Sequence, residues 1–160
     1  MAAEIQRIAE QLRRAVDGEA WHGPAVMQIL AGVDARVAAA RPIAAGHSLW
    51  EILNHVTAWT RAVHRRLNGE AVELTGADDW PPVGDTSDAS WQAAVAAFRA
   101  AQQELLAKLK SMSNDELGMF APGQKYSYSF MLHGLVQHHL YHAGQMALLK
   151  KAGTAWARTR

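Results

Sequence analysis

Tyr128-Ser-Phe-Met-Leu-His-Gly-Leu-Val-Gln-His-His-Leu-Tyr-His-Ala-Gly-Gln-Met-Ala-Leu-Leu-Lys-Lys151 carries four of the chain's eight histidines on what reads as one long helix. At 100° per residue, Met131, Leu135, His138, His142, Gln145 and Leu149 fall within roughly 80° of one another, so His138 and His142 share a largely apolar face. Two neutral imidazoles at i, i+4 on an inward stripe can bridge one metal ion from a single helix, provided a further ligand comes from elsewhere. The same pair also fits two core histidines bonded to carbonyls or water. With 8 histidines in 160 residues, about 0.4 such pairs are expected by chance, so the pair alone does not choose between these readings.

The rest of the chain narrows the choice. A length of 160 residues suits one domain, 1–160, with a single substantial core. Sixteen basic residues against 15 acidic ones give a net charge of +1 with no cluster, which argues against a nucleic-acid partner. There is no cysteine, so disulfides, thiolate ligands and a cysteine nucleophile are excluded, and histidine and carboxylate remain as ligands. Charges in Met1-Ala-Ala-Glu-Ile-Gln-Arg-Ile8 interrupt the apolar run that a signal peptide needs, and a cytoplasmic protein is expected. Residues 126–149 lack Asp, Glu, Lys and Arg. Four His, two Gln and two Ser in that stretch nevertheless argue for a helix packed in protein rather than a membrane span.

Apolar residues at helical spacing predict a first helix over 4–16, closed by Asp17-Gly18. Trp21-His22-Gly23-Pro24 reads as a turn, followed by one or two helical turns over 25–33 and another over 35–40. Ser48-Leu-Trp-Glu51 has the form of a capping box and opens a second long helix, which runs to Leu67 and stops at Asn68-Gly69. Ile52, Val56, Trp59 and Val63 form its core stripe, with His55 at the edge of that stripe and His64 on the opposite, exposed side. Residues 68–86 read as a long irregular connection, able to cross the length of a bundle. A third helix is expected from Asp88 to Lys110, then a polar connection over 111–126 with a turn of helix at 115–117. The histidine helix should end at Lys150-Lys151, with Gly153 just past it. No strand, repeat, P-loop, GxGxxG, GxSxG or HExxH is found. The leading architecture is therefore all-α, a four-helix bundle with long first and second connections.

Bundles build metal sites from inward side chains of facing helices. The second helix offers His55 and the last offers His138 and His142. Three neutral imidazoles would leave a divalent ion with its full charge and an open position, as in catalytic rather than closed structural sites.

Trp21-His-Gly-Pro24, Ser48-Leu-Trp-Glu-Ile-Leu-Asn-His55-Val-Thr-Ala-Trp59, Arg65-Arg-Leu-Asn-Gly69 and Gln137-His-His-Leu-Tyr-His-Ala-Gly-Gln145 together resemble the DinB-like, or YfiT-like, superfamily of metal-binding bundles. The resemblance runs from the first helix to about Lys151. It implies an up-down-down-up course with 68–86 as a crossover, and metal ligation by His55, His138 and His142. It also implies zinc or nickel as the ion and frequent homodimers. Some relatives are transferases or isomerases that use a low-molecular-weight thiol, which makes such a thiol a candidate cosubstrate.

Other residues keep two readings each. His22 is a base or extra ligand, or part of a loop anchored by Trp21 and Pro24. Glu51 is a catalytic base or simply the cap of its helix. Gln145 touches the metal site or makes ordinary core hydrogen bonds. His139 is a neighbour of another helix or of solvent rather than a ligand, and His133 is exposed. Trp50, Trp59 and Trp91 are core residues or pocket walls. The expected function is that of a metal-dependent enzyme, thiol S-transferase-like or hydrolytic, acting on a small electrophile. The alternative is a non-enzymatic, stress-associated protein whose ion is structural.

Overall fold

The computed structural model describes residues 3–158. Six α-helices carry the chain, four of them long: α1 (Glu4–Asp17), α2 (Val26–Leu30), α3 (Ala35–Ala39), α4 (Leu49–Leu67), α5 (Asp88–Ser111) and α6 (Tyr128–Arg158). A 3-10 turn spans Asp115–Gly118, and no strand occurs among the described residues beyond one antiparallel bridge between Phe120 and Ser127. The expectation of an all-α fold is met.

Local chemistry explains the boundaries. Ile5, Ile8 and Leu12 are buried along α1, and Gly18 ends it at φ 125°, a left-handed conformation that a side chain would disfavour. Asp34 caps α3 by accepting the Val37 N–H at 2.8 Å. The predicted capping box of α4 is complete. Ser48 Oγ accepts the Glu51 N–H at 3.1 Å, and the Glu51 carboxylate accepts the Ser48 N–H at 2.8 Å. Ser87 caps α5 with a single bond, its Oγ accepting the Ser90 N–H.

The end of α6 differs from expectation. The helix does not stop at Lys151 but passes through Gly153 to Arg158. Gly153 is not a terminator. It lies where α3 crosses close, and a Cβ there would sit 3.2 Å from the Val37 carbonyl oxygen, so glycine serves the approach of two helices. Lys150 supports the same corner by donating to the carbonyls of Ile29 and Ala31, both at 2.7 Å, at the C-terminal end of α2.

α4 packs against α5 and α6, and α1 packs against the same two helices, while α2 and α3 brace α6. The core divides in two. One cluster gathers Leu49, Trp50, Leu53, Trp91, Phe98 and Met146, and the other Ile8, Leu12, Leu105, Leu109 and Leu132. A polar layer separates them, with Thr60 on α4, Gln102 on α5 and His139 on α6 at matching heights, each at most 3% exposed. His139 donates from Nδ1 to the Leu135 carbonyl, so its Nε2 is a lone pair that accepts from the Gln102 amide. The same amide group donates to Thr60 Oγ1 at 3.0 Å. No described helix is long and apolar enough to cross a membrane.

Candidate metal centre

His55, His138 and His142 meet at the level of this polar layer. Their positions follow from helix geometry: His138 and His142 lie one turn apart on the same face of α6, and His55 faces them from α4. The imidazole centres of His138 and His142 are 4.4 Å apart, and that of His55 lies 5.0 and 4.8 Å from them. The Nε2 atoms of His55 and His138 approach to 3.0 Å. One ring nitrogen from each of the three falls within 4.8 Å of the others. Two nitrogens sharing a tetrahedral ion at about 2.1 Å stand about 3.4 Å apart, so small rotations about the side-chain torsions would close the set.

The hydrogen bonds decide which nitrogens are free. His55 Nδ1 lies 2.7 Å from the backbone carbonyl of Asp79 and 3.1 Å from its carboxylate. A carbonyl oxygen can only accept, so Nδ1 carries the proton and the neutral ring presents a lone pair at Nε2. His142 Nδ1 donates to Gln145 Oε1 at 2.7 Å, which frees its Nε2 in the same way. Such outer bonds fix the tautomer and orientation of metal-ligating histidines. His138 lacks one. Its buried Nδ1 meets no hydrogen-bonding group among the described residues, and the ring's polar contact is the one from Nε2 to His55 Nε2.

Electrostatics favour the uncharged rings. Burial, followed by the neighbouring His142, His139 and His55, pushes the His138 pKa down to about 3. Burial also lowers that of His142, against an opposing contribution from its bond to Gln145. The rings are therefore neutral at neutral pH: His55 and His142 present Nε2 lone pairs to the site, and His138 can present one once its ring proton moves to Nδ1. A donor set of three neutral imidazoles, two of them oriented through Nδ1, fits a divalent cation, and this cluster could bind a metal ion.

Two residues at this site come from the long connection 68–86, which sequence reasoning treated as spacer. Asp79 orients His55 and accepts the indole N–H of Trp59 at 2.7 Å. Trp80 stacks on His55 at 3.9 Å and 9°, and on its other face stacks His47 at 3.7 Å and 6°. The loop is held in place by the Trp80 N–H bond to the Gly76 carbonyl and by Asn54, which donates to the Pro81 carbonyl. The available signal was Asp78-Asp-Trp-Pro-Pro82, an acidic and aromatic run stiffened by proline inside an unusually long loop.

The structure sorts the other candidates. Gln145 is at the site, on His142. Glu51 is engaged at the N-terminus of α4 and pairs with Arg41, away from the histidine cavity. His22 is exposed in the loop before α2 and lines none of the cavity that the three histidines open into. Trp21 is 102% exposed and so anchors nothing, contrary to the anchored-loop reading. His139 belongs to the buried core network. His133 and His64 are half-buried rather than exposed. His133 lies 3.2 Å from the Glu4 carboxylate, and Asn68 packs on His64. Trp50 and Trp91 are core, edge to face at 5.2 Å, whereas Trp59 is a wall of the cavity.

That cavity has a volume of about 440 Å³ and is mostly apolar, walled by Trp59, Val63, Phe130, Met131 and Leu135, with the histidines at one end and Arg66 at the other. A mostly apolar pocket of this size beside three imidazoles suits a small organic molecule. A second cavity of about 340 Å³ lies on the far side of Trp80 and shares His142, Trp80 and Tyr141 with the first.

No curated protein and no solved structure matches the chain. The sequence model of the DinB superfamily does match it, over residues 20–146, a span that includes all three histidines and the loop that orients His55. With most of its length covered by that match, the chain belongs to the DinB superfamily.

Proposed function

We propose that His55, His138 and His142 hold one divalent metal ion and that the protein is a metal-dependent enzyme acting on a small electrophilic molecule. The single observation that carries this reading is the convergence of three imidazoles at the end of an apolar cavity of about 440 Å³. Imidazole ligands suit several first-row metals, zinc, copper, iron and nickel among them, and the sequence resemblance favours zinc or nickel. When bound, the ion would supply Lewis acidity, acidifying a water or a thiol so that it becomes a nucleophile at neutral pH.

The chain's own residues have separate tasks. Asp79 and Gln145 hold two imidazoles by their Nδ1 atoms, so that the Nε2 lone pairs stay aimed at one point. Trp80 covers His55 and keeps bulk water from its face. The apolar walls lower the local dielectric and strengthen every charge interaction inside. Thiol S-transfer and hydrolysis both fit this arrangement, and the first is favoured by the sequence resemblance. We also read the course of the long helices as up-down-down-up. Contacts of Trp50 with Trp91 and of Thr60 with Gln102 support α4 and α5 running together. Those of His55 with His138 and of Tyr128 with Arg66 support α6 running against them. The bond from the Ile5 N–H to Asn114 supports α1 running against α5.

Metal analysis of untagged protein tests the ligand set: the wild type should carry about one divalent ion per chain, and His138→Ala should lose it. An unchanged metal content in His138→Ala refutes the assignment. Turnover of monobromobimane with a panel of small thiols then separates transfer from hydrolysis. The alternative, a structural ion, draws on the same geometry, because the ion would tie α4 to α6. It predicts a large fall in melting temperature on chelation with no turnover in any assay.

A further inference from the structure

Arg66 lines the end of the cavity away from the histidines and is 3% exposed. Its guanidinium donates to the Val72 carbonyl from Nε at 3.0 Å and from Nη2 at 2.6 Å, and from Nη1 to the Tyr126 hydroxyl at 3.0 Å. It also lies over the Trp59 ring at 5.6 Å. All these partners are neutral. No carboxylate among the described residues pairs with it. The one carboxylate that lines the cavity, Asp79, is taken by Trp59 and His55. A buried cation that is hydrogen-bonded but not neutralised is costly unless an anion joins it. Arginine is also the residue whose planar fork matches a carboxylate.

Helix geometry gives the alignment. His55 and Arg66 are eleven residues apart on α4, so their side chains differ by only about 20° around the helix and both face the cavity. Trp59 stands between the two ends, its ring 5.6 Å from the guanidinium carbon and 6.0 Å from the His138 ring centre. The separation is thus on the order of 10 Å, which a molecule of roughly eight bonded atoms spans. Val63, Met131 and Leu135 wall the space between, with no charge.

We propose that Arg66 is the anion-recognising residue of this cavity, and that the substrate is a small, mostly apolar molecule bearing a carboxylate-type group about 10 Å from the part presented to the three histidines. The assignment rests on the proposed function for what happens at the histidine end, but not for the anion end. Specificity follows from the same geometry. A neutral isostere leaves the buried cation uncompensated and forfeits charge-assisted bonds, so acids are selected over their amides.

The test is the affinity of 4-phenylbutyrate against 4-phenylbutyramide, measured by calorimetry on the protein as purified and again after chelator treatment. The acid should bind at least tenfold tighter in both. Arg66→Gln should abolish the preference and Arg66→Lys should restore part of it. Because Arg66→Gln also removes bonds to Val72 and Tyr126 and can impair folding, the wild type is read directly as well. The Arg66 Nε–H resonance should shift on adding the acid and not the amide. Equal affinities in the wild type, no measurable binding of the acid, or a preference that survives Arg66→Gln overturns the proposal. So does a preference that disappears on chelation alone, which places the carboxylate on the metal. Failure of the metal reading is seen separately, as untagged protein that purifies without a divalent ion and still prefers the acid.

Discussion

Replacing Gln145 with Leu removes the one acceptor that holds the His142 Nδ1–H, a bond of 2.7 Å, and puts an apolar side chain of similar size in its place. His142 keeps its place on α6 but loses the restraint on its tautomer and ring orientation. Replacing Asp79 with Ala removes a carboxylate 3.1 Å from His55 Nδ1 yet leaves the Asp79 backbone carbonyl at 2.7 Å, so His55 stays oriented. Loss of an outer partner of a metal-bound histidine costs about 10–100-fold in affinity, or about 1.4–2.7 kcal/mol. A neutral hydrogen bond alone accounts for about 0.5–1.5 kcal/mol of this, and the remainder reflects the freed ring. Gln145→Leu, which loses everything on its side, should therefore weaken metal binding by about 10–100-fold, and Asp79→Ala by no more than about tenfold. Competition against a chromophoric zinc chelator at fixed pH reads both. Undiminished affinity in Gln145→Leu, or a larger loss in Asp79→Ala than in Gln145→Leu, would refute the claim that these bonds set the ligand geometry.

Further expectations concern stability. Burial holds the His139 pKa down at about 4, against 6.5 in the unfolded chain. The unfolded state therefore binds the extra proton first as pH falls. The neutral ring's contribution is fully present above about pH 6.5 and is lost toward pH 4, for a fall of about 3 kcal/mol. Urea midpoints of chelator-treated protein at pH 7 and pH 4.5 measure this, and His138 and His142, also lowered, act in the same direction. Ser48→Ala removes the cap of α4 and should cost about 1 kcal/mol, seen as a lower urea midpoint at unchanged slope. Gly153→Val should destabilise by about 1–3 kcal/mol through the clash with the Val37 carbonyl, although valine has the better helix propensity. A variant as stable as wild type would show that α3 yields at that crossing.

The helices were legible because their signals are local. The stripe of Ile5, Ile8 and Leu12, the Ser48–Glu51 box and the His138–His142 spacing each involve residues within a turn or two, and backbone geometry alone converts that spacing into a shared face. Gly153 shows the limit of this reading: glycine after a basic pair looks like a helix stop, and only the approach of α3 makes it a contact. The histidine trio was visible because helical periodicity also put His55 at the edge of a core stripe. What orients it was not. Asp79 and Trp80 lie 24 and 25 residues from His55 in a segment with no periodicity, so their placement depends on where the connection 68–86 lands on α4. Arg66 likewise looked like one more basic residue near the end of a helix. Its burial and its lack of a counter-charge arise from Val72, Tyr126 and Trp59 closing around it, contacts that span up to 60 residues of sequence. Periodicity and caps act through near neighbours and are written in the chain. The depth of a cavity and the charge left uncompensated at its end exist only once distant segments pack together.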